Sequence, residues 1–533
     1  MRQELGFVVR MGMLVLMLMM GRAVAADWYV APAGSDGNAG SSASPFRQIR
    51  QALTVVHAGD TVHVADGTYL GFTLANFTGT AVAPLVIQAE GQNAVVQVTT
   101  DRSDNRDTIE LTFCTYVTID GLQAFTANRA GLRVDSSPWI TVKNCIFGNN
   151  TTWGMFTDFS DNLLIEHNIC YGSVQQHGCY VSNTCVNPQV IGNTFHDNAG
   201  CGLHMNGDVS QGGLGLISNA LVADNIIYNN GAPGGGSGIN CDGVVNSTFI
   251  DNLVYNEHAN GMSLYQGDSS GPSMNDVVIG NTFDIASDGR WGLNMATGST
   301  GNIVFDNIFF NHNTSHGSIT LTDTTPLTGL FCDHNLLCTG SIVATDNDNS
   351  SSLTLAQWQA LGLDQHSMAS TPAAVFTNEA SADFSLLTSS PAIGFGVATF
   401  EAKSAPSSDL LGHPRPGPAG YSCGAFETVA ATTTSTTSTG TSGTSGGTSG
   451  GTTSASGTTS ASGSATGSAS ASGSASSSAS STGGATSGTT PAAGGSGGGG
   501  GCGVGAGIGL ILAAMLAFSH GRRWCLRANA QAN

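Results

Sequence analysis

An imidazole at His204, carboxylates at Asp208, Asp242 and Asp268, and a phenol at Tyr180 are groups that trade protons with a substrate. Two carboxyls held ~5 Å apart support retaining glycoside hydrolysis, and ~6.5 to 9.5 Å apart the inverting reaction. A β-elimination needs instead a base beside a uronate carboxylate and a cation that neutralises it. Cations are scarce, because Lys143 and Lys403 are the only lysines. Lys143, Arg133 and Arg290 are the candidates for that chemistry, with His204 or Tyr180 as alternative bases. Asp135 and Asp158 either share Ca²⁺ or face solvent. The segments His177-Gly178 and Gly202-Leu203-His204 lack zinc-type spacing, and no Ser/His/Asp triad or phosphate-binding loop stands out.

A repeat positions these residues. Between Gly131 and Leu337 units of 23 to 36 residues each open with glycine and then alternate apolar and polar residues, as in Gly131-Leu132-Arg133-Val134-Asp135 and Gly202-Leu203-His204-Met205-Asn206. Period two means strands with one face inward, and the regular repeat means stacked coils. The outward residues then fall into two columns. One reads Arg133, Phe156, Tyr180, His204, Asn240, Ser263, Asn294, and the other Asp135, Asp158, Ser182, Asn206, Asp242, Tyr265, Ala296. Aromatic, amide and carboxylate groups on such a face suit a glycan groove, which assigns Arg133, Phe156, Asn206, Asn240, Tyr265 and Asp268 to binding. The longest insertions, Gly207 to Ala220, Gly231 to Ser237 and Gln266 to Asn275, are expected to wall a cleft around His204, Asp208 and Asp242, with Tyr180 and His177 one coil below. Each unit also carries one asparagine at a fixed turn, namely Asn168, Asn193, Asn225, Asn252, Asn281, Asn307 and Asn335, with Cys145 in the first place. Stacked amides there can bond up and down the coils. The pattern predicts an all-β, right-handed parallel β-helix over residues 27–428; an antiparallel sandwich is disfavoured because hairpin signals are not regularly placed.

The ends read differently. Residues 1–26 have a basic start, an apolar run from Met13 to Met20 and small residues at Ala23 to Ala25, the layout of a secretory signal. Residues 429–501 hold no charge and little but Ser, Thr, Gly and Ala, so a disordered stalk is expected. Residues 502–533 place Cys502, an apolar stretch from Val504 to Phe518 and Arg522-Arg523 in that order. Setting aside Glu4 and the six terminal arginines, the body carries 35 acids against 10 bases, which makes nucleic acid and anionic membrane poor partners and means that an acidic polysaccharide would need bridging metal. Cys170, Cys179 and Cys241 fall at inward positions and read as small buried residues, whereas Cys332 and Cys338 are close enough in sequence to pair.

Trp28-Tyr29-Val30, Gly34-Ser35-Asp36, Pro45-Phe46, Gly59-Asp60-Thr61-Val62 and Gly67-Thr68-Tyr69 resemble the N-terminal cap of the pectate-lyase-like β-helix superfamily. Ser44 and Pro45 are expected to start a capping helix with Ile49, Leu53 and Val56 on one side. Asp409, Gly412, Pro414-Arg415-Pro416 and Gly424-Ala425-Phe426-Glu427 resemble that superfamily's closing segment. The resemblance implies a polysaccharide-active protein, a lyase ahead of a hydrolase, with Ca²⁺ as the implied cofactor; a non-catalytic surface adhesin is the alternative. The C-terminal order resembles bacterial sorting tails, which implies export, tethering at the cell surface, and envelope-sorting machinery as a partner; a plain transmembrane anchor is the alternative, and it too tethers the body.

Overall fold

The computed structural model describes residues 25–97, 106–231, 235–296, 298–340, 343–344 and 352–428. The expected signal, stalk and sorting tail lie outside these residues, apart from positions 25 and 26. Within them the chain winds as a right-handed parallel β-helix, with one short strand per coil in each of three twelve-stranded sheets. One sheet, here the groove sheet, contains Ala130–Asp135, Trp153–Asp158, Cys179–Ser182, Leu203–Asn206, Ile239–Asp242 and Met262–Tyr265. A second sheet follows it in each coil (Ile140–Lys143, Leu164–Glu166), then a third (Ile146–Gly148, Ile169–Tyr171).

Alternation decides which side chains enter the core. Leu132 and Val134 are fully buried inside, while Arg133 and Asp135 project outward. Each such buried aliphatic contributes about 1.5 to 3 kcal/mol. Cys170, Cys179 and Cys241 are buried as expected. All ten cysteines among the described residues are free thiols, so Cys332 and Cys338 do not pair; Cys332 donates to Asp364 Oδ2 at 2.9 Å and Cys338 lies 3.2 Å from Ser318 Oγ.

The asparagines form the expected ladder. Asn193 Oδ1 accepts from both the backbone N–H and Nδ2 of Asn168 at 2.9 and 3.0 Å, and the same pair of bonds recurs up to Asn335. Cys145 starts the ladder through its N–H to Asn168 Oδ1. A second ladder, not foreseen, runs through Asn198 and Asn230 and ends on the buried Glu257, whose carboxyl burial pushes up to about 8.

The two ends differ from expectation. The N-terminal helix α1 spans Ile49–Ala52 and not a longer segment from Pro45. Phe46 is held extended by its bonds to Tyr29 and Ala31, so the chain cannot turn into a helix there. Ser44 bridges to Ser41, and Asp36 Oδ1 accepts from the N–H groups of Arg47 and Gln48 instead. Ile49 is buried; Leu53 and Val56 are partly buried against the core. At the other end α2 (Leu355–Gln359), capped by Thr354 and Gln357, places Trp358 in the core. Asp364 joins Trp358 Nε1 to Asn335 and so terminates the ladder. The segment around Asp409 to Glu427 does not close the end. It lies along the outside, where Arg415 pairs with the buried Asp251 at 3.0 Å, Gly424 N donates to Asp306 O, and Ala425 N donates to Thr282 Oγ1.

Candidate functional site

The strand register reproduces the first outward column in full and the second as far as Tyr265, since the strand Leu293–Met295 stops before Ala296. Arg133, Phe156, Tyr180, His204, Asn240, Ser263 and Asn294 are successive partners, as are Asp135, Asp158, Ser182, Asn206, Asp242 and Tyr265. In the first column the rings stack. Phe156 and Tyr180 lie 5.4 Å apart at 15°, and Tyr180 and His204 5.0 Å apart at 25°. Trp153, just ahead of the repeat glycine, adds a ring 4.4 Å from Phe156. Sequence reasoning passed over Trp153, although its place before Gly154 was the available signal.

His204 is fixed in one protonation state by its neighbours. The N–H of Cys201 donates to His177 Nδ1 at 3.0 Å, so the His177 proton sits on Nε2. That proton is donated to His204 Nδ1 at 2.9 Å, which leaves the His204 proton on Nε2. Burial lowers the His204 imidazole to about 3 and holds His177 well below the ordinary histidine value, with repulsion from His204 adding to it. His204 is thus a neutral ring whose Nε2–H is buried without a protein acceptor. It can donate a hydrogen bond, whereas its basic nitrogen is already engaged. The ligand atoms of His177, Cys201 and His204 also lie within 4.8 Å of one another, a grouping invisible in linear spacing. A metal there would have to replace the bond between the two imidazoles.

The carboxylates converge but have separate tasks. Asp242 accepts from the N–H groups of Gly267 and Asp268, both at 2.7 Å, and from Ser269 Oγ at 2.5 Å, so it clamps the loop after Met262–Tyr265. Asp208 Oδ1 accepts from Ser210 N at 2.7 Å. Burial, then repulsion from Asp208 and Asp242, raises the Asp268 carboxyl above the ordinary range. Burial also raises the Tyr180 phenol, whose oxygen accepts from Asn206 Nδ2 at 3.1 Å. Asn240 Nδ2 donates to the Tyr265 hydroxyl at 2.8 Å.

Two of the three insertions form one wall. Val209 N donates to Asp268 O and Ser270 N to Gly215 O, both at 3.0 Å, which knits the loop from Gly207 to the loop from Gln266. Of the Gly231 to Ser237 insertion, the described residues Gly231 and 235–237 precede the groove-sheet strand Ile239–Asp242, whereas the two walling loops follow theirs.

Asp135 and Asp158 have a partner that the sequence did not announce. Arg133 Nη2 lies 3.2 Å from Asp135 Oδ2 and 3.0 Å from Asp158 Oδ2, and its guanidinium sits 5.3 Å from the Phe156 ring centre. Burial raises Asp158 to about 7, Arg133 opposing and Asp135 reinforcing the shift. Calcium asks for about 6 to 8 oxygen ligands. Two carboxylates that share an arginine supply too few free oxygens to fit it. Lys143 belongs to the second sheet and pairs with Asp120 at 3.3 Å, and Arg290 lies just ahead of Leu293–Met295 in the groove sheet.

Residues 28–176 match the family model described as Pel9A-like, right handed beta helix region. Over 76 residues the chain is 40% identical to pectate lyase PEL9 of Emericella nidulans, a stretch that makes up 14% of this chain and 18% of that relative's length. Among solved structures, pectate lyase Pel9A aligns with 76% of this chain and 97% of its own at 15% identity and a TM-score of 0.49. An alginate lyase from a Paenibacillus species aligns with 51% of this chain and 94% of its own at 17% identity and a TM-score of 0.36. The protein is therefore a parallel β-solenoid whose N-terminal third is similar to the Pel9A-like β-helix family.

Proposed function

We propose that this protein binds a polysaccharide along the groove sheet and cleaves it by β-elimination, as an exported protein tethered to the cell envelope. The observation that carries the reading is the ring ladder from Phe156 to His204, which runs directly into the Tyr180, Asp208 and Asp268 cluster. Similarity to a protein named pectate lyase supports the reaction class. Elimination removes a proton beside a uronate carboxylate, breaks the bond to the leaving oxygen and protonates that oxygen. Tyr180, kept protonated by its raised phenol, donates to the leaving oxygen. Asp268, made more basic by its surroundings, takes the proton, with Asp208 beside it. His204, its Nε2–H buried, supports the Tyr180 ring by stacking, and Asp242 positions the loop that carries Asp268. Phe156, Asn206, Asn240 and Tyr265 bind sugar rings and hydroxyls, while Arg133, paired with Asp135 and Asp158, holds the far end of the ladder.

The carboxylate cluster favours a second reading, glycoside hydrolysis by Asp208 and Asp268. Incubating the full chain with acidic and neutral polysaccharides, with Ca²⁺ or chelator, separates the two. Ultraviolet absorbance of unsaturated uronates is the expected result. New reducing ends without absorbance would replace the lyase by a hydrolase, and silence from folded protein would leave a surface-binding protein. Surface proteolysis of intact cells tests the tether.

A further inference from the structure

In the nine coils from Tyr116 to Gly329, the turn that leads from the groove sheet into the second sheet holds a residue with left-handed backbone one or two positions before the second-sheet strand. Strand register aligns these positions from coil to coil. Five coils use asparagine there (Asn162, Asn187, Asn219, Asn246, Asn275) and two use glycine (Gly301, Gly329), the residues that adopt this conformation most readily. Two adjacent coils instead use Tyr116, at φ 54°, and Trp139, at φ 63°. A bulky ring at positive φ is strained, and such strain persists where something other than local preference selects the residue. Packing is not that reason for the indole, because Trp139 is 47% exposed. The end of the groove-sheet strand repeats the pattern. Phe113, at φ 52° and 51% exposed, and Phe159, at φ 47°, stand in a left-handed column with Asn76, Ser136 and Asn183.

The rings are arranged for a flat ligand. Tyr116 and Trp139 are parallel within 7°, with centres 5.5 Å apart. The column continues from Trp139 with the short Asn162, whose Oδ1 is held by Asn187 Nδ2 at 3.0 Å. An indole face followed by amides matches a pyranose, whose C–H face meets the electron-rich ring while its hydroxyls meet the amides. The patch also adjoins the groove: Phe159 directly follows Asp158, and Phe113 follows the register partner of Asp135.

We propose that Tyr116 and Trp139, with Phe113 beside them, form a carbohydrate-stacking platform that holds a pyranose of the polysaccharide outside the cleavage site. The platform rests on the polysaccharide reading above. Replacing Tyr116 and Trp139 by asparagine, singly and together, in the full chain tests it, because asparagine is what the fold uses in the neighbouring coils. Affinity for polygalacturonate, alginate and xylan, thermal stability, self-association and turnover of a short oligouronate would be measured. The platform predicts unchanged or raised melting temperature in the double variant. It also predicts about a tenfold or greater loss of affinity for the bound polymer, with oligouronate turnover unchanged. A polymer bound equally by wild type and double variant overturns the platform and leaves the polysaccharide reading standing. A marked fall in melting temperature makes the rings packing residues and overturns it. Loss of self-association with polymer binding intact assigns the patch to a second copy of the chain and overturns it as well. Wild-type protein that binds none of the polymers overturns both.

Discussion

The asparagine ladder and the ring ladder use one device, a side chain per coil held in strand register, yet their composition is opposite. The first repeats a single residue from Asn168 to Asn335, while the second changes from Arg133 through Phe156, Tyr180 and His204 to Asn240. The buried turn makes the same demand in every coil, namely partners for a backbone N–H and for the amide below, and one residue type meets it. The outer face makes no such demand, so its residues are free to differ from coil to coil. Uniformity along this solenoid reports a folding demand, and the varied column is where the proposed site can be built.

The contrast is broken most severely in the interior. Asn252→Ala removes the acceptor shared by the N–H and Nδ2 of Asn225, and with it the Nδ2 that donates to Val222 O and Asn281 Oδ1. With about 1 to 3 kcal/mol for each unsatisfied buried group, a loss of roughly 3 to 5 kcal/mol is expected by denaturant titration. A loss below about 1 kcal/mol would show that the ladder does not carry the fold.

Arg133→Ala should cost less, about 1 to 3 kcal/mol, since it leaves Asp135 and Asp158 facing each other without their cation. Ca²⁺ should then raise the melting temperature of the variant and leave that of the wild type unchanged. Equal stabilisation of both proteins would place calcium elsewhere or show that it displaces the arginine.

Tyr180→Phe deletes one hydroxyl from the ring ladder, so stability should move by no more than about 1 kcal/mol. Turnover should fall by roughly 10² or more, as for a lost general acid, with the KM little changed. A variant that cleaves at the wild-type rate removes Tyr180 from the reaction.

The smallest effect belongs to an outer clasp. His312 donates to Asp284 at 3.1 Å and lies 2.6 Å from Glu379; the bond to Asp284, opposed by burial, raises the imidazole to about 9. A folded value above the unfolded one means that the stabilisation is complete below about 6.5 and disappears as pH rises through about 9. Solvent screening keeps it under about 1 kcal/mol. His312→Gln should flatten the wild-type decline in melting temperature between these pH values, and an unchanged slope would assign the decline to other groups.

The fold was legible because its signals are local and repeated. A strand of period two, an opening glycine and one asparagine per unit survive in the linear order, and seven stacked units leave one architecture that satisfies them all. Register followed, so the outward columns and the convergence of Tyr180, Asp208, Asp242 and Asp268 could be read as well. Roles within the cluster were not legible. That Asp242 holds a loop, that His204 has its basic nitrogen engaged, and that Arg133 occupies the place assigned to calcium all depend on contacts between coils some 23 to 36 residues apart.

The sequence by itself determined which residues share a face, because side-chain direction follows from alternation and coil stacking. Only the tertiary structure decided which partner each polar group takes. That choice depends on ångström-scale distances across coils, which set the protonation of His204, the basicity of Asp268 and the strain carried by Tyr116 and Trp139.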